Sequence, residues 1–299
     1  MNSSSKPRLA YRTKHGLMYL GESQEVIRTK LLRRYGKKVQ LIFTSPPFPL
    51  NEKKKYGNLM GQEYVHWLVS FAPLFKALLK PNGSIVMEIG NAWEPKRPVM
   101  SILPLQSLLA FLQHGQLNLC QQFVWNNPAK LPTPAQWVNI ERARVKDSFT
   151  NIWWMSPTEW PKANNRRVLS QYSASMKKLL RLQKYNSGTR PSEHSIGATS
   201  FLKNNKGAIP SNVLTFSNTH SNTKYQLYCR KKGLKPHPAR MPSAVAEFFI
   251  KFLSRKGDII LDPFAGSNTT GAAAETLGRR WISIEQFSRY VTGSKGRFK

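Results

Sequence analysis

The amino-acid sequence predicts an α/β fold in which helices flank a mostly parallel sheet. Short, continuously apolar segments alternate with stretches of helical periodicity at both ends of the chain, as in folds built on parallel strands. A polar middle separates these two ordered ends. The 299 residues are 40% hydrophobic, which is sufficient to bury a core. The length fits one large α/β domain, or one such domain that carries an extra module.

The N-terminal alternation begins with residues 39–43, which are apolar except for Gln40 and predict a buried parallel strand ending at a stiff loop. Apolar residues recur at near-helical spacing over 62–79, and a Lys-Pro-Asn-Gly sequence then predicts the end of that helix. A strand at 84–89, a helix at 102–113 and a strand at 119–125 complete this part of the prediction.

The C-terminal alternation follows the same pattern. A helix is predicted at 244–253 and a strand at 258–261, followed by a tight turn that begins at Asp262. A helix at 268–277 and a strand at 281–284 come next, and the last strand ends on Glu285. No repeat of fixed period is present.

These patterns divide the chain into a basic N-terminal tail (1–15), a first ordered part (16–127), a middle (128–235) and a second ordered part (236–299). The middle combines basic residues with aromatic clusters such as Trp153-Trp154, and weak periodicity over 185–223 predicts long loops. Cations beside aromatic rings supply phosphate contacts and stacking surfaces together, which favours nucleic-acid recognition. A surface insertion or partly disordered linker is the alternative.

The charge balance points to a polyanionic partner. Lys and Arg number 46 against 15 Asp and Glu, a formal net charge of +31. A membrane is excluded because no segment approaches the roughly 20 apolar residues of a spanning helix, and the first residues lack an apolar signal core. Cys120 and Cys229 form no metal-binding or disulfide pattern. We therefore expect no metal site and a reducing cytoplasm.

The C-terminal βαβ segment predicts a nucleoside site. Glu285 follows Asp262 by 23 positions, about where a Rossmann-like unit places the carboxylate that binds ribose hydroxyls. The intervening loop is not GxGxxG, so it leaves less room for a pyrophosphate than a dinucleotide requires. A nucleoside without phosphates fits better: Glu285 would accept from the ribose, and Asp262 with the Gly266 turn would face an amino-acid portion. S-adenosylmethionine is such a molecule.

The second motif, residues 45–48, is a stiff Ser-Pro-Pro-Phe loop at the end of a strand. Neither proline donates an N–H, so the loop presents acceptors, the Ser45 hydroxyl and the Pro46 carbonyl, beside the aromatic face of Phe48. The exocyclic amine of a nucleobase is a poor nucleophile until both hydrogens are held and its nitrogen pyramidalises. Two fixed acceptors with a stacking ring meet that requirement. Taken alone, the motif more often marks a loop stiffened for structural reasons.

Together, residues 44–48 and 262–267 resemble the amino-methyltransferases of DNA, specifically the cytosine N4 group of bacterial restriction–modification systems. The catalytic loop precedes the variable middle and the cofactor loop, which is the order of a circularly permuted subclass. Further similarity lies in Trp125-Asn126-Asn127-Pro128, in Trp153-Trp154, in 189–192 and in 237–240, so the resemblance covers about 16–290.

The resemblance implies a Rossmann-like, S-adenosylmethionine-dependent methyltransferase fold. Its catalytic half would be 16–127, its target-recognition region 128–235 and its cofactor half 236–299. The implied catalytic residues, which hold or activate a flipped cytosine, are Ser45, Pro46, Pro47, Phe48 and Glu88. The implied cofactor-binding residues are Asp262, Pro263, Phe264, Gly266, Ser267, Thr269, Glu285, Glu22, Thr44, Pro238 and Arg240. The candidate DNA-binding cations are Arg142, Arg144, Lys146, Arg166, Arg167, Lys177 and Arg190.

The implied activity is methylation of cytosine N4 in a specific double-stranded DNA sequence, by base flipping and direct methyl transfer from S-adenosyl-L-methionine. Ser45 favours cytosine, because adenine N6 enzymes of the superfamily mostly carry Asp or Asn at that place. The alternatives are an adenine N6 methyltransferase and a catalytically inactive DNA-binding relative. A Pro-Cys nucleophile is absent, which argues against covalent cytosine C5 chemistry. The expected setting is the bacterial nucleoid, with a cognate restriction endonuclease that acts on the same site without stable binding.

Overall fold

A nine-stranded mixed sheet organises the structure, a computed structural model that describes residues 6–49, 59–185, 187–197, 199–218 and 223–299. The strands of this sheet are β1 (Arg8–Arg12), β2 (Gly16–Leu20), β3 (Val39–Thr44), β4 (Leu79–Ile89), β5 (Asn118–Asn126), β6 (Phe149–Ser156), β9 (Val213–Thr215), β10 (Ile259–Asp262) and β11 (Arg280–Glu285). The separate pair β7 (Gly188–Thr189) and β8 (Ser195–Ile196) forms a small hairpin. The order across the large sheet is β1-β2-β11-β10-β3-β4-β6-β5-β9.

Helices cover both faces of this sheet. They are α1 (Ser23–Val26), α2 (Leu32–Tyr35), α3 (Gly61–Val69), α4 (Ala72–Leu78), α5 (Leu103–Gly115), α7 (Lys224–Lys231), α8 (Ser243–Leu253), α9 (Thr269–Thr276) and α10 (Ser288–Ser294), with a π-helical turn, Ile27–Leu31, joining α1 to α2. A further helix, α6 (Ala174–Leu182), belongs to a separate compact unit. Successive residues of β3 point to opposite faces, so Ile42 packs with α3, α4 and α5, whereas Leu41 and Phe43 pack with α8 and α9. Burial on both faces explains why β3 is mostly apolar. Its buried Gln40 donates from Nε2 to the Asn82 carbonyl at 3.1 Å.

The parallel strands place the chemically important residues at one edge. β3 is parallel to both β4 and β10, and β10 is parallel to β11. Their carboxyl ends therefore meet at the same edge of the sheet. Thr44 ends β3, Asp262 ends β10, Glu285 ends β11, and Glu88 is the penultimate residue of β4. Ligands of open α/β sheets bind at this edge.

The predicted mostly parallel α/β class is confirmed, and most predicted elements lie within one or two residues of the observed ones. The predicted helix 62–79 is an exception, since it divides into α3 and α4. Pro73 stands in the first turn of α4, where its missing N–H removes no hydrogen bond, whereas it would interrupt a continuous helix. β4 also begins at Leu79, earlier than the predicted strand 84–89.

Two predicted assignments are wrong in detail. Residues 8–12, predicted as part of a basic tail, form β1, which pairs antiparallel with β2. Residues 149–156, assigned to the middle region with no strand predicted, form β6, antiparallel to both β4 and β5. Trp153 and Trp154 are consequently buried in the core, one on each face, and offer no stacking surface for bases.

The chain divides into two compact units, residues 164–211 and the remainder. The smaller unit contains α6 and the β7–β8 hairpin, and Tyr185 and Phe201 pack in it with ring centroids 4.8 Å apart. β9 and α7, although inside the predicted recognition region 128–235, belong to the larger unit. The outer limits of that region stay a prediction. None of the described helices is long and apolar enough to cross a membrane.

Candidate active site

A cavity of about 1400 Å³ opens at the carboxyl edge of the parallel strands and brings the two sequence motifs together. Both loops contribute to its wall, although they are more than two hundred positions apart in the chain. The predicted site residues that line it are Glu22, Ser45, Pro46, Pro47, Phe48, Glu88, Pro238, Arg240, Asp262, Pro263, Phe264, Gly266, Ser267, Thr269 and Glu285. Thr44 lies directly beneath, buried at the end of β3.

The Ser-Pro-Pro-Phe loop continues directly from β3. Pro46 is buried, whereas Ser45 and Phe48 are partly exposed and face the cavity. The Phe48 ring lies against the backbone of Gly90, because a Cβ added to Gly90 would come within 2.4 Å of two ring carbons. A glycine just after β4 therefore makes the space that the Phe48 ring occupies.

Glu88 lies beneath the catalytic loop and is only 4% exposed. Burial raises the pKa of its carboxyl group to about 7, while a hydrogen bond donated by the Ser45 hydroxyl and the positive charge of Lys130 act in the opposite direction. Lys130 in turn pairs with Asp147, Nζ to Oδ2, at 3.2 Å. The Ser45–Glu88 pair thus couples a cavity-facing hydroxyl to a carboxyl group that changes protonation near neutrality.

Asp262 ties the two motifs together. Its Oδ1 accepts hydrogen bonds from the Thr44 hydroxyl at 2.8 Å and from the Phe264 amide at 3.1 Å. Burial raises the pKa of this carboxyl to about 6, and hydrogen bonds from Thr270, Thr44 and Phe264 oppose the rise. The network fixes the end of β10 against the end of β3, so the cofactor loop and the catalytic loop share one support.

Glu285 holds the turn that follows β10 through its carboxylate group. Its two carboxylate oxygens accept from the amides of Gly266 and Phe287, each at 2.8 Å. Burial raises its pKa to about 7. Gly266 has a φ of +50°, and a Cβ there would lie 3.0 Å from Nε2 of His237. Only glycine combines this backbone conformation with that close approach.

Aromatic and basic groups complete the cofactor half of the cavity. Phe264 packs on Trp67 and Phe71, with ring centroids 5.5 and 5.0 Å away. Arg240 donates from Nη1 to the His237 carbonyl at 2.8 Å, which holds residues 237–240 in a bend at the cavity wall. Glu22 caps helix α1 by accepting from the Glu25 amide at 2.9 Å.

The structure also adds a residue that the sequence patterns did not single out. Arg297 donates from Nη2 to the hydroxyls of Ser267 and Thr269, both at 2.8 Å, and from Nε to the Ser267 carbonyl. Its guanidinium lies 4.9 Å from the centre of the Tyr225 ring. Burial lowers the pKa of Arg297 to about 10. No local signal marks this residue, because it lies in a basic C-terminal segment that resembles a solvated tail.

The seven candidate DNA-binding cations fall into two groups. Arg142, Arg144 and Lys146 are exposed on the loop that joins β5 to β6, which also lines the cavity. The other four belong to the smaller unit, and they are Arg166, Arg167, Lys177 and Arg190. Arg190 lies over the Tyr185 ring at 5.8 Å from its centroid, and Arg166 and Lys177 are exposed. Their contacts with DNA stay a prediction.

Comparison with known proteins identifies the family. The family model described as "DNA methylase", for N6 and N4 methyltransferases, matches residues 39–296. The chain belongs to this DNA methylase family. The Type II methyltransferase M.PvuII of Proteus hauseri is 44% identical to it over 300 residues, which cover 100% of this chain and 87% of that protein. M.ScaI of Streptomyces caespitosus is 26% identical over 97% of this chain and 83% of its own length.

Solved structures agree with this assignment. The PvuII DNA methyltransferase, described as cytosine-N4-specific, matches with a TM-score of 0.78 and 38% identity over 99% of this chain and 90% of that one. TTHA0409 of Thermus thermophilus, in complex with S-adenosyl-L-methionine, shares the fold at a TM-score of 0.57 and 20% identity, covering 95% and 94%. The resemblance drawn from the two loops is confirmed, as is the methyltransferase fold.

Proposed function

We propose that this DNA methylase transfers a methyl group from S-adenosyl-L-methionine to the N4 amine of a cytosine in a specific double-stranded DNA sequence. The observation that carries the proposal is the Ser45–Glu88 pair, which shares one cavity with Asp262 and Glu285. Similarity over the whole chain to M.PvuII, and to a structure described as cytosine-N4-specific, supports cytosine as the target. S-adenosyl-L-methionine is the methyl donor.

The residues of the cofactor half suit this donor. Glu285 accepts backbone hydrogen bonds from Gly266, Phe287 and Gln286. A carboxylate offers about four lone-pair sites, so capacity is left for a ribose hydroxyl. The Gly266 turn has no side chain to block a close approach, and the Phe264 ring faces the same cavity. In this assignment Asp262, Ser267 and Thr269 lie toward the methionine end. When bound, the cofactor supplies an electrophilic methyl group on its sulfonium.

The catalytic loop would hold the amine of the flipped base. The Ser45 hydroxyl and the Pro46 carbonyl are acceptors for the two amine hydrogens, and accepting both draws the nitrogen lone pair out of conjugation with the ring. The Phe48 ring offers a stacking surface that is itself supported by Gly90. These three groups follow β3 without an intervening element, so the sheet sets their positions relative to the cofactor loop.

Glu88 would then receive the proton that the amine loses. After the N–C bond forms, one amine proton passes to Ser45 Oγ while the hydroxyl proton of Ser45 passes to the Glu88 carboxylate. A carboxyl group whose burial raises the pKa to about 7 is matched to this work near neutral pH. Because Glu88 accepts a proton in this step, its carboxyl group must be ionised when the reaction begins.

We further infer that sequence reading belongs to the region 128–235 and that a restriction endonuclease acts on the same DNA site. Such a partner would meet the methyltransferase only through the DNA, without a stable complex. The methylation would take place at the bacterial nucleoid. Exposed cations support contacts with DNA in each unit, namely Arg142, Arg144 and Lys146 in the larger and Arg166 and Lys177 in the smaller, since phosphate contacts supply much of the affinity for DNA.

The decisive experiment is expression in a host whose DNA carries neither N4-methylcytosine nor N6-methyladenine. Single-molecule sequencing of the host DNA should report N4-methylcytosine at one sequence, and nucleoside analysis should show the same base. The Ser45→Ala variant serves as the matched control and should leave most sites unmodified. N6-methyladenine instead would show that the target base is wrong, and unmodified DNA with normal protein levels would indicate a relative that binds without catalysis.

A further inference from the structure

The loop that joins β5 to β6 is firmly anchored where it leaves the sheet. At its base the Asn127 amide donates to the Ser148 carbonyl at 2.9 Å, and the Asp147 amide donates to the Thr133 carbonyl at 2.9 Å. The Lys130–Asp147 ion pair at 3.2 Å adds a side-chain tie. Residues 127–148 therefore form a braced projection whose position relative to the sheet is fixed.

This β5–β6 loop forms one wall of the catalytic cavity. Residues 133–137 and Asp147 line the same cavity as Ser45 and Phe48. The amides of Ala143 and Arg144 both donate to the carbonyl of Trp137, at 2.9 and 3.1 Å, so the chain folds back onto the lining segment. Val145 lies between that fold and Asp147. Glu141 and Asp147 both line the cavity, so Val145 belongs to the short segment that connects two lining residues.

Val145 is unusually accessible for an apolar side chain. It is 87% exposed, the highest exposed fraction among the large hydrophobic residues in the described part of the chain. Leu131 and Ile140 of the same loop are 75% and 67% exposed. Arg144 and Lys146 flank Val145, both are exposed, and neither makes an ion pair with a carboxylate of the described residues.

An exposed valine between two cations is better suited to contact with DNA than to exposure to water. An apolar tip between two cations offers a wedge for the base stack and charges for the phosphates on either side. Turning a base out of the duplex leaves a gap and costs a few kcal/mol of lost stacking and pairing. An apolar side chain that enters the gap keeps water out of it and restores contact with the neighbouring bases.

We infer that Val145 is a wedge that enters the duplex at the position the target cytosine leaves, while Arg144 and Lys146 hold the adjacent phosphates. This inference rests on the proposed function, because it requires a base turned toward Ser45. The wedge acts on the flipping step alone. A base that is already unpaired does not need it, and this difference separates a wedge from a residue that supports the fold or general DNA affinity.

The test compares the wild type, Val145→Ala and, as matched control, Val213→Ala, which truncates a 51% exposed valine on β9. Each is assayed on two duplexes carrying the methylation site found by sequencing: one fully paired, one with an abasic position opposite the target cytosine. We expect kcat/KM of Val145→Ala to fall about tenfold on the paired duplex, as loss of part of the flipping energy implies. On the abasic duplex it should return to within about twofold of the wild type.

Equal losses on both duplexes, or no loss on the paired duplex, would overturn the wedge. The Val213→Ala variant should match the wild type on both substrates, and thermal unfolding checks that Val145→Ala remains folded. A second variant, Val145→Thr, keeps the shape but adds a hydroxyl, and it should show a defect in the same direction on the paired duplex only. A wild-type enzyme that modifies neither duplex would instead count against the proposed function itself.

Discussion

Among single residues, Glu88 sets the expected pH dependence of the reaction. Burial raises its pKa to about 7, and its proposed role requires the ionised form. We therefore expect kcat/KM to rise about tenfold per pH unit below this pKa and to level off above it. The Glu88→Gln variant should lose this inflection and be slower by about 10² at pH 8. A pH–rate profile of the variant with the wild-type inflection would assign the titration to another group.

The same raised pKa predicts an effect on stability with a definite sign. Between the ordinary value of 4.5 and about 7, the folded state retains a proton on Glu88 that the unfolded state has released. The stability contribution of this group therefore falls as pH rises through that window. Relative to the wild type, Glu88→Gln should gain up to ~3 kcal/mol between pH 4.5 and 8. Urea unfolding at both pH values measures it, and a constant difference would contradict the raised pKa.

Ser45 should affect the chemical step more than cofactor affinity. Its hydroxyl contacts Glu88 of β4, whereas Glu285 and the Gly266 amide bind each other in the proposed cofactor half. Loss of a hydrogen bond to a charged group typically costs about 1.5–3 kcal/mol. Ser45→Ala should therefore lower kcat by roughly one to two powers of ten, with an unchanged Kd for S-adenosyl-L-methionine by calorimetry. Near-normal turnover would remove Ser45 from the proposed mechanism.

At the scale of elements, the C-terminal turn supports the cofactor loop through Arg297. Its hydrogen bonds to Ser267 and Thr269 join segments about thirty positions apart. Arg297→Met would remove these bonds and leave two hydroxyls without their donor, so KM for S-adenosyl-L-methionine should rise about tenfold. Arg297→Lys should recover part of the loss. The control is Lys299→Met, which lies nearby over the Tyr228 ring and should keep the wild-type KM; equal effects in both variants would contradict a specific role.

Some strands of the sheet can be predicted from local sequence patterns and others cannot. Strand β3 and strands β10 and β11 are predictable because apolar runs end abruptly at stiff or small-residue loops, which are local signals. β6 escapes prediction because cations on both sides of it give the surrounding sequence the composition of a surface region. β1 escapes for a similar reason, since arginines stand at both of its ends. Both segments form strands because they pair with neighbouring strands, and such pairing is a non-local property that local composition does not show.

Some residues of the candidate site can be predicted from the sequence and others cannot. The two loops and Glu285 follow from short motifs, and the place of Glu88 follows from the family resemblance. Lys130, which lies near Glu88, comes from the long β5–β6 loop, and no spacing rule predicts that a loop folds back over a particular cavity. Arg297 likewise reaches Ser267 only because α10 and the C-terminal turn pack against the cofactor half. Tertiary contacts of this kind are set by the whole fold.

For the whole molecule, the net charge of +31 predicts a steep dependence of DNA binding on salt. The exposed cations of the β5–β6 loop, Arg142, Arg144 and Lys146, are a defined part of that charge. Each phosphate that a cation neutralises contributes about −0.9 to the slope of log K against log salt concentration. If about 6–10 phosphates are neutralised in all, affinity should fall by three to five powers of ten between 50 and 200 mM salt.

Replacing all three of these cations by glutamine should make the salt slope less negative by about 3, because each lost contact releases one counterion fewer. The Val145→Ala variant supplies the matched control, since it changes the apolar tip of the same loop without altering its charge, and its slope should equal that of the wild type. Fluorescence anisotropy with a labelled duplex over a salt series measures both. An unchanged slope in the glutamine variant would mean that the loop stays away from the phosphates and that cations elsewhere in the chain carry the contact with DNA.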